Sequence, residues 1–113
     1  MHELVWTGRF DTEVQRIYER CEDSRAGGGD RFYGDLLAHL RQLENHPQSG
    51  SRLKGTSLRH LLVINKRYGV IHRVEPRGVI LHTIFDQRRE PAELARIIRE
   101  ITREIDNPKP DES

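Results

Sequence analysis

Between residues 51 and 89 the chain carries nine lysines and arginines against two acids, Glu75 and Asp86, a local balance of +7. Lys54, Arg59, Lys66, Arg67, Arg73, Arg88 and Arg89 are spread through this stretch. Guanidinium groups bind phosphates and carboxylates through paired hydrogen bonds, so the pattern favours an anionic partner over a small neutral substrate. Three histidines, His60, His72 and His82, fall one on each of three apolar runs in the same stretch. Metal-free RNA cleavage needs a base for the 2′-hydroxyl, cations for the phosphate and an acid for the leaving group. A histidine can supply acid or base, and Arg73, Arg88 and Arg89 can hold the phosphate. That chemistry is unspecific, because any basic sheet with histidines meets the description. Three strand histidines can also bind a metal if their register brings them together, although strand histidines more often pack or hydrogen-bond. Two structural readings compete. The cations can simply keep sheet edges soluble. Arg88 and Arg89 can pair with Asp86, Glu90 or Glu93 and anchor the sheet to the helix that follows.

The elements that must position these groups are legible in the hydrophobic pattern. Glu3–Thr7 is a short strand candidate. Phe10, Val14, Ile17, Tyr18 and Cys21 then recur at helical spacing, after capping oxygens at Thr7 and Asp11. Gly27, Gly28 and Gly29 follow as a flexible linker, and Asp30 can cap a second helix. No strand precedes these glycines and no lysine follows, so they are not a phosphate-binding loop. Phe32, Leu36, Leu37, Leu40 and Leu43 line the second helix, which His46-Pro47 ends. Three strand-length runs come next: Leu58–Asn65, Gly69–Glu75 and Val79–Phe85. Lys66–Gly69 reads as a hairpin turn, with Gly69 free to take a positive φ. Pro76-Arg77-Gly78 is a stronger turn signal. Leu58–Ile64 is apolar in both parities, so either both sheet faces are covered within the chain or one awaits a partner. After Pro91, Leu94, Ile97, Ile98, Ile101 and Ile105 form a third helical stripe.

At 113 residues the chain fits one domain, expected over residues 1–105, with a polar disordered tail at 106–113. Acidic flanks offset the basic centre: residues 1–50 and 90–113 each balance at −3, for a net charge of +1. The hydrophobic fraction is 35%, too little for a large core, and no run approaches a transmembrane length. The start, Met1-His2-Glu3, lacks the basic and apolar segments of a signal peptide, and the single Cys21 excludes an intrachain disulfide or a cysteine zinc cluster. A cytoplasmic protein without membrane, metal or cofactor is the expectation.

In order and spacing, several of these pieces resemble the RelE/ParE superfamily of toxins from bacterial type II toxin–antitoxin modules. They are Val5-Trp6-Thr7 before a helix, Leu43-Glu44-Asn45-His46-Pro47 with Gly50, then Arg59, YGVIHRV at 68–74 and VILHTIFDQRREP at 79–91. The resemblance spans roughly residues 4–98. It implies an α+β fold, a twisted antiparallel sheet on a helical hairpin, in the order β-α-α-β-β-β-α. It also implies a toxin, of a kind associated with plasmid stabilization and growth inhibition, neutralised by a cognate antitoxin. One branch inhibits DNA gyrase by binding; another cleaves mRNA on the ribosome. In the cleaving branch His60 falls where lysine is usual, Arg89 matches the arginine after the last strand, and Leu62, Gly69 and Ala95 replace three functional residues. The Arg-Arg-Glu-Pro ending is more like the ParE branch. The expected function is therefore gyrase inhibition, with Lys54, Arg59, Lys66, Arg67, Arg88 and Arg89 contacting the target. The alternatives are an mRNA endonuclease built on His60, Arg73 and Arg89, and a non-toxic binding module that retains the fold.

Overall fold

Three amphipathic stripes and one short mixed sheet divide the chain. The computed structural model describes residues 2–106. Strand β1 is Glu3–Trp6, helices α1 and α2 are Gly8–Ser24 and Gly28–Asn45, β2 is Ser51–Arg52, β3 is Leu58–Val63, β4 is Tyr68–Glu75, β5 is Gly78–Asp86, and α3 is Pro91–Asp106. The expected α+β class and element order hold, with β2 as an addition. The expected tail from Asn107 onward lies outside the described residues, and Asp106 ends α3.

Thr7 starts α1: its hydroxyl accepts from the Phe10 N–H at 3.2 Å and donates to the Leu81 carbonyl at 2.7 Å. One side chain thus caps a helix and ties it to β5. The triple glycine is not the expected loose linker. Gly27 (φ 84°) is the left-handed residue before α2, whereas Gly28 and Gly29 lie inside the helix. They are needed for close approach: a Cβ at Gly28 would sit 2.5 Å from the Cys21 carbonyl, and one at Gly29 2.8 Å from the Tyr18 ring. Glu22, not Asp30, accepts from the N–H groups of Gly27 and Gly29. Asp30 instead accepts from the Tyr18 hydroxyl at 2.6 Å.

The sheet order is β1-β5-β4-β3-β2. β2–β3, β3–β4 and β4–β5 are antiparallel, but β1 runs parallel to β5, with Glu3 opposite Gly78 and Trp6 opposite Leu81. The expected antiparallel sheet is therefore mixed. A strand at the far end of the chain must enter an edge, and its short apolar segment pairs with the last strand rather than the first of the meander.

Both sheet faces are covered within the chain, which accounts for the imperfect alternation. On one face Leu61, Val63, Tyr68, Val70, Val79, Leu81 and Ile84 pack with the α1–α2 hairpin through Phe10, Val14, Ile17, Phe32, Leu36, Leu40 and Leu43. On the other, Leu58, Ile71 and Phe85 pack under α3 through Leu94, Ile97, Ile98 and Ile101. Arg9 of α1 ties the layers together, its guanidinium donating to both carboxylate oxygens of Glu104 at 2.8 and 3.0 Å.

The expected Lys66–Gly69 turn is displaced. Pairing runs Val63 to Tyr68, so the turn is Ile64–Arg67 and Gly69 belongs to β4. Arg67 N–H donates to the Ile64 carbonyl at 3.0 Å. Gly69 answers a spatial demand, since a Cβ there would overlap the His60 imidazole and lie 2.8 Å from the Gln87 amide oxygen. The Pro76-Arg77 turn forms as expected, with Glu75 opposite Gly78. A bulge interrupts β4–β5 at Ile71/His72, where Ile71 pairs with Thr83 but His72 with Leu81.

Candidate functional site

Strand direction splits the expected cationic patch in two. Lys54 lies in the turn between β2 and β3, at the end of the sheet where α3 finishes; with Arg52 it lines an open pocket beside Thr102, Ile105 and Asp106. Lys66, Arg67 and Arg88 lie beyond the opposite end of β3, near the start of α3. Six-residue β3 separates the two groups by roughly 17 Å of strand. Arg59 joins neither. Its guanidinium donates to the carbonyls of Gln48 and Gly50 at 2.9 and 3.2 Å, closing the loop after α2.

At the Lys66 end one buried acid organises the cations. Asp86 accepts from Arg88 Nη2 at 2.8 Å, from Nε at 3.1 Å and from the Arg88 backbone N–H at 2.8 Å. Arg67 Nε stands 4.0 Å from the same carboxylate, and its guanidinium lies 5.6 Å over the Tyr68 ring centre. The Asp86 side chain is 6% exposed, while those of Arg67 and Arg88 are 48% and 67% exposed. The acid is hidden and the cations face solvent. Hydrogen bonds from Arg88 hold the Asp86 pKa down at about 2, against an ordinary 3.8. Lys66 is exposed and makes no ion pair among the described residues. Arg89 faces away, pairing with Glu93 one turn into α3 at 2.8 Å. Both arginines are therefore ion-paired, Arg88 back to the end of β5 and Arg89 forward to α3, yet Arg88 keeps most of its guanidinium accessible.

The histidines do not converge. His60 stands on the α3 side of β3, its ring 5.5 Å from Phe85. Burial lowers its pKa, and the neighbouring Gln87 side chain only partly offsets this. His72, on the opposite face, is fully buried; burial lowers its pKa also, and the nearby backbone of Pro47 and Val70 only partly offsets this. His82 sits at the bulge beneath α3, 8% exposed, with Nε2 unpartnered. Burial first, then the charges of Arg73 and Arg9, push its pKa down to about 4. Among the described residues no three His, Cys, Asp or Glu side chains cluster as a metal site would require.

Of the three residues expected to make a ribonuclease site, strand register puts His60 and Arg73 on one face, one residue pair apart, but each of the three is engaged elsewhere. Arg73 pairs with Glu75 on its own strand, Arg89 pairs with Glu93, and His60 packs over Gly69. The apolar face of α3 covers Leu58, Ile71 and Phe85 between them. Asp86 is the residue that sequence reasoning undervalued. Its signal was present: it is one of only two acids in the basic stretch and stands two residues before Arg88.

Among the described residues no helix is long and apolar enough to cross a membrane. No curated protein matches the sequence. Among solved structures the fold is similar to a chain described as the "Chromosomal ParDE TA system from P. aeruginosa", with a TM-score of 0.64 at 17% identity. The superposition covers 76% of this chain and 96% of that one. A family model described as ParE toxin of type II toxin-antitoxin system, parDE, matches residues 4–91. This span takes in both helices of the hairpin, the Asp86–Arg88 cluster and all of the sheet but Glu3, and the chain belongs to the ParE toxin family of the RelE/ParE superfamily.

Proposed function

We propose that the protein inhibits DNA gyrase by binding it, through the cations at the Lys66 end of the sheet, and that a cognate antitoxin neutralises it. One observation carries the choice of binding over cleavage. α3 lies across the sheet face that bears His60 and Arg73, whereas Lys66, Arg67 and Arg88 stand clear of it. Cleavage requires an accessible base beside a phosphate-binding cation. Here burial lowers the pKa of His60, Arg73 is engaged by Glu75, and among the described residues no carboxylate acts on the His60 imidazole. Binding requires only exposed, ordered cations, and Asp86 supplies the order. Lys54 and Arg59 are assigned no part in that contact, one for its position and the other for its carbonyl partners.

The antitoxin needs apolar surface to cover. α1, α2 and α3 leave little of the sheet free. The large apolar side chains still exposed among the described residues are Val5, Tyr33, Leu37 and Leu62. Tyr33 lies 6.4 Å from Trp6 by ring centres, so the outer face of α2 and the free edge of β1 make one continuous surface. We assign the antitoxin contact there, away from the cationic end.

Induced expression of the chain alone, followed by plasmid topology and genome-wide mapping of mRNA ends, separates the readings. Relaxed plasmids with unchanged mRNA ends support gyrase inhibition. New ends within reading frames, abolished by His60→Ala, establish the endonuclease instead. Normal growth with neither change establishes a non-toxic binding module.

A further inference from the structure

The turn that presents Lys66 and Arg67 is held in an unusual backbone conformation. Ile64, Asn65 and Lys66 have φ of 54°, 55° and 63°, three successive non-glycine residues in the left-handed region. Asparagine tolerates this region, but lysine and above all a β-branched isoleucine disfavour it. Such a run persists only where its surroundings determine it. Three contacts do so. Arg67 N–H donates to the Ile64 carbonyl at 3.0 Å, Gln87 N–H donates to the Arg67 carbonyl at 2.8 Å, and Ile64 packs on the edge of the main core. The fourth contact comes from another layer: Ile64 N–H donates to His39 Nε2 at 3.0 Å.

His39 lies past the middle of α2, in a pocket shared with Asp35, Ala38 and Gln42 of the helix and Ile64 and Asn65 of the turn. An imidazole nitrogen accepts only when it carries no proton, so this contact fixes His39 with its proton on Nδ1. The turn leaves the Ile64 N–H facing away from β4, where no strand partner reaches it. An unpaired, part-buried amide is costly, and the imidazole removes that cost only while Ile64 keeps its left-handed geometry.

We propose that His39 is a positioning residue for the target-binding turn. By accepting from Ile64 it selects the left-handed conformation that presents Lys66 and sets Arg67 at the Asp86 carboxylate shared with Arg88. The proposal rests on the reading of Lys66 and Arg67 as target contacts. Two variants test it. His39→Leu keeps bulk and helix propensity but has no acceptor. His39→Gln places an amide oxygen close to the position of Nε2. Purified proteins are compared by thermal melting, by amide exchange at Ile64, and by inhibition of gyrase supercoiling.

The expected result is faster Ile64 exchange in His39→Leu, with roughly tenfold more protein needed for half inhibition, in line with the loss of one part-buried hydrogen bond. His39→Gln restores most of both. Unchanged exchange and inhibition in His39→Leu overturn the proposal, as does equal impairment in both variants, which would make the ring's packing the cause. The double variant Lys66→Ala/Arg67→Ala separates the proposal from the reading beneath it. If that variant still inhibits gyrase, the target-contact reading fails, and Ile64 exchange alone decides whether His39 holds the turn. If it loses inhibition while His39→Leu keeps it, the contact stands and the positioning role is overturned.

Discussion

Acid should unfold this protein through His82. The imidazole is 8% exposed beneath α3, its Nε2 has no partner, and its pKa falls from an ordinary 6.5 to about 4 in the folded state. The unfolded chain therefore binds a proton that the folded chain refuses. Stability from this residue is complete above pH 6.5 and is lost as pH falls through about 4. The interval between the two values corresponds to roughly 3 kcal/mol, a large part of the 5–15 kcal/mol that typically holds a domain together. The imidazolium would face Arg73 and Arg9 across a dry interface, with only Glu104 as counter-charge. His72, buried on the other face, acts in the same direction. The assay is urea unfolding at closely spaced pH values from 8 to 4, on the wild type and on His82→Leu. The wild type should lose stability steadily below pH 6.5, and the variant should lose it with a slope shallower by about one proton. Parallel pH profiles would refute the assignment, as would any gain of stability on acidification over this range.

Three further outcomes follow from individual contacts. Gly69→Ala should destabilise by about 1–3 kcal/mol, because its methyl group overlaps His60, and the double variant with His60→Ala should recover most of the loss in chemical denaturation. Arg88→Ala should destabilise at neutral pH by leaving buried Asp86 short of a partner; since Asp86 titrates near 2 when folded and 3.8 when free, the difference from wild type should shrink below pH 3.8 and vanish near pH 2 in acid titrations. Thr7→Ala should cost about 1–2 kcal/mol in thermal or urea unfolding, since the hydroxyl both caps α1 and bonds the β5 backbone.

Periodicity made most of this fold legible. Phe10, Val14 and Ile17, then Phe32, Leu36, Leu40 and Leu43, then Leu94, Ile97, Ile98 and Ile101 are helical stripes, and each packs where its stripe requires. Pro76-Arg77 marked its turn because proline presets φ. What sequence could not give were non-local choices. β1 pairs in parallel with β5 across the whole chain, and no local signal states that partner. Ser51–Arg52 pairs through backbone alone, with no apolar side chain to announce a strand. Gly69 looked like a turn glycine because its other reason, the His60 ring, lies on a neighbouring strand. The candidate site followed the same division. Composition located the cations, but only strand direction reveals that Lys54 and Lys66 stand at opposite ends of the sheet. The histidine faces depended on register and on the bulge between Ile71 and His72. The mixed alternation of Leu58–Ile64, which left a missing partner open, is satisfied largely by α3; Leu62 is the one large apolar side chain of that run still exposed.

The central claim is that the cationic end of the sheet, with Arg67 and Arg88 ordered by Asp86 and Lys66 on the adjoining turn, binds gyrase. Titrating the purified protein into a gyrase supercoiling reaction tests it most directly, with Lys66→Glu/Arg67→Glu as the paired control. Both side chains are exposed, but Arg67 also contacts buried Asp86 and lies over Tyr68, so thermal melting of the variant must show that it remains folded at the assay temperature. The account predicts dose-dependent loss of supercoiling with the wild type and little or none with the charge-reversed variant. Equal inhibition by both proteins, or none by the wild type at any concentration, would contradict it.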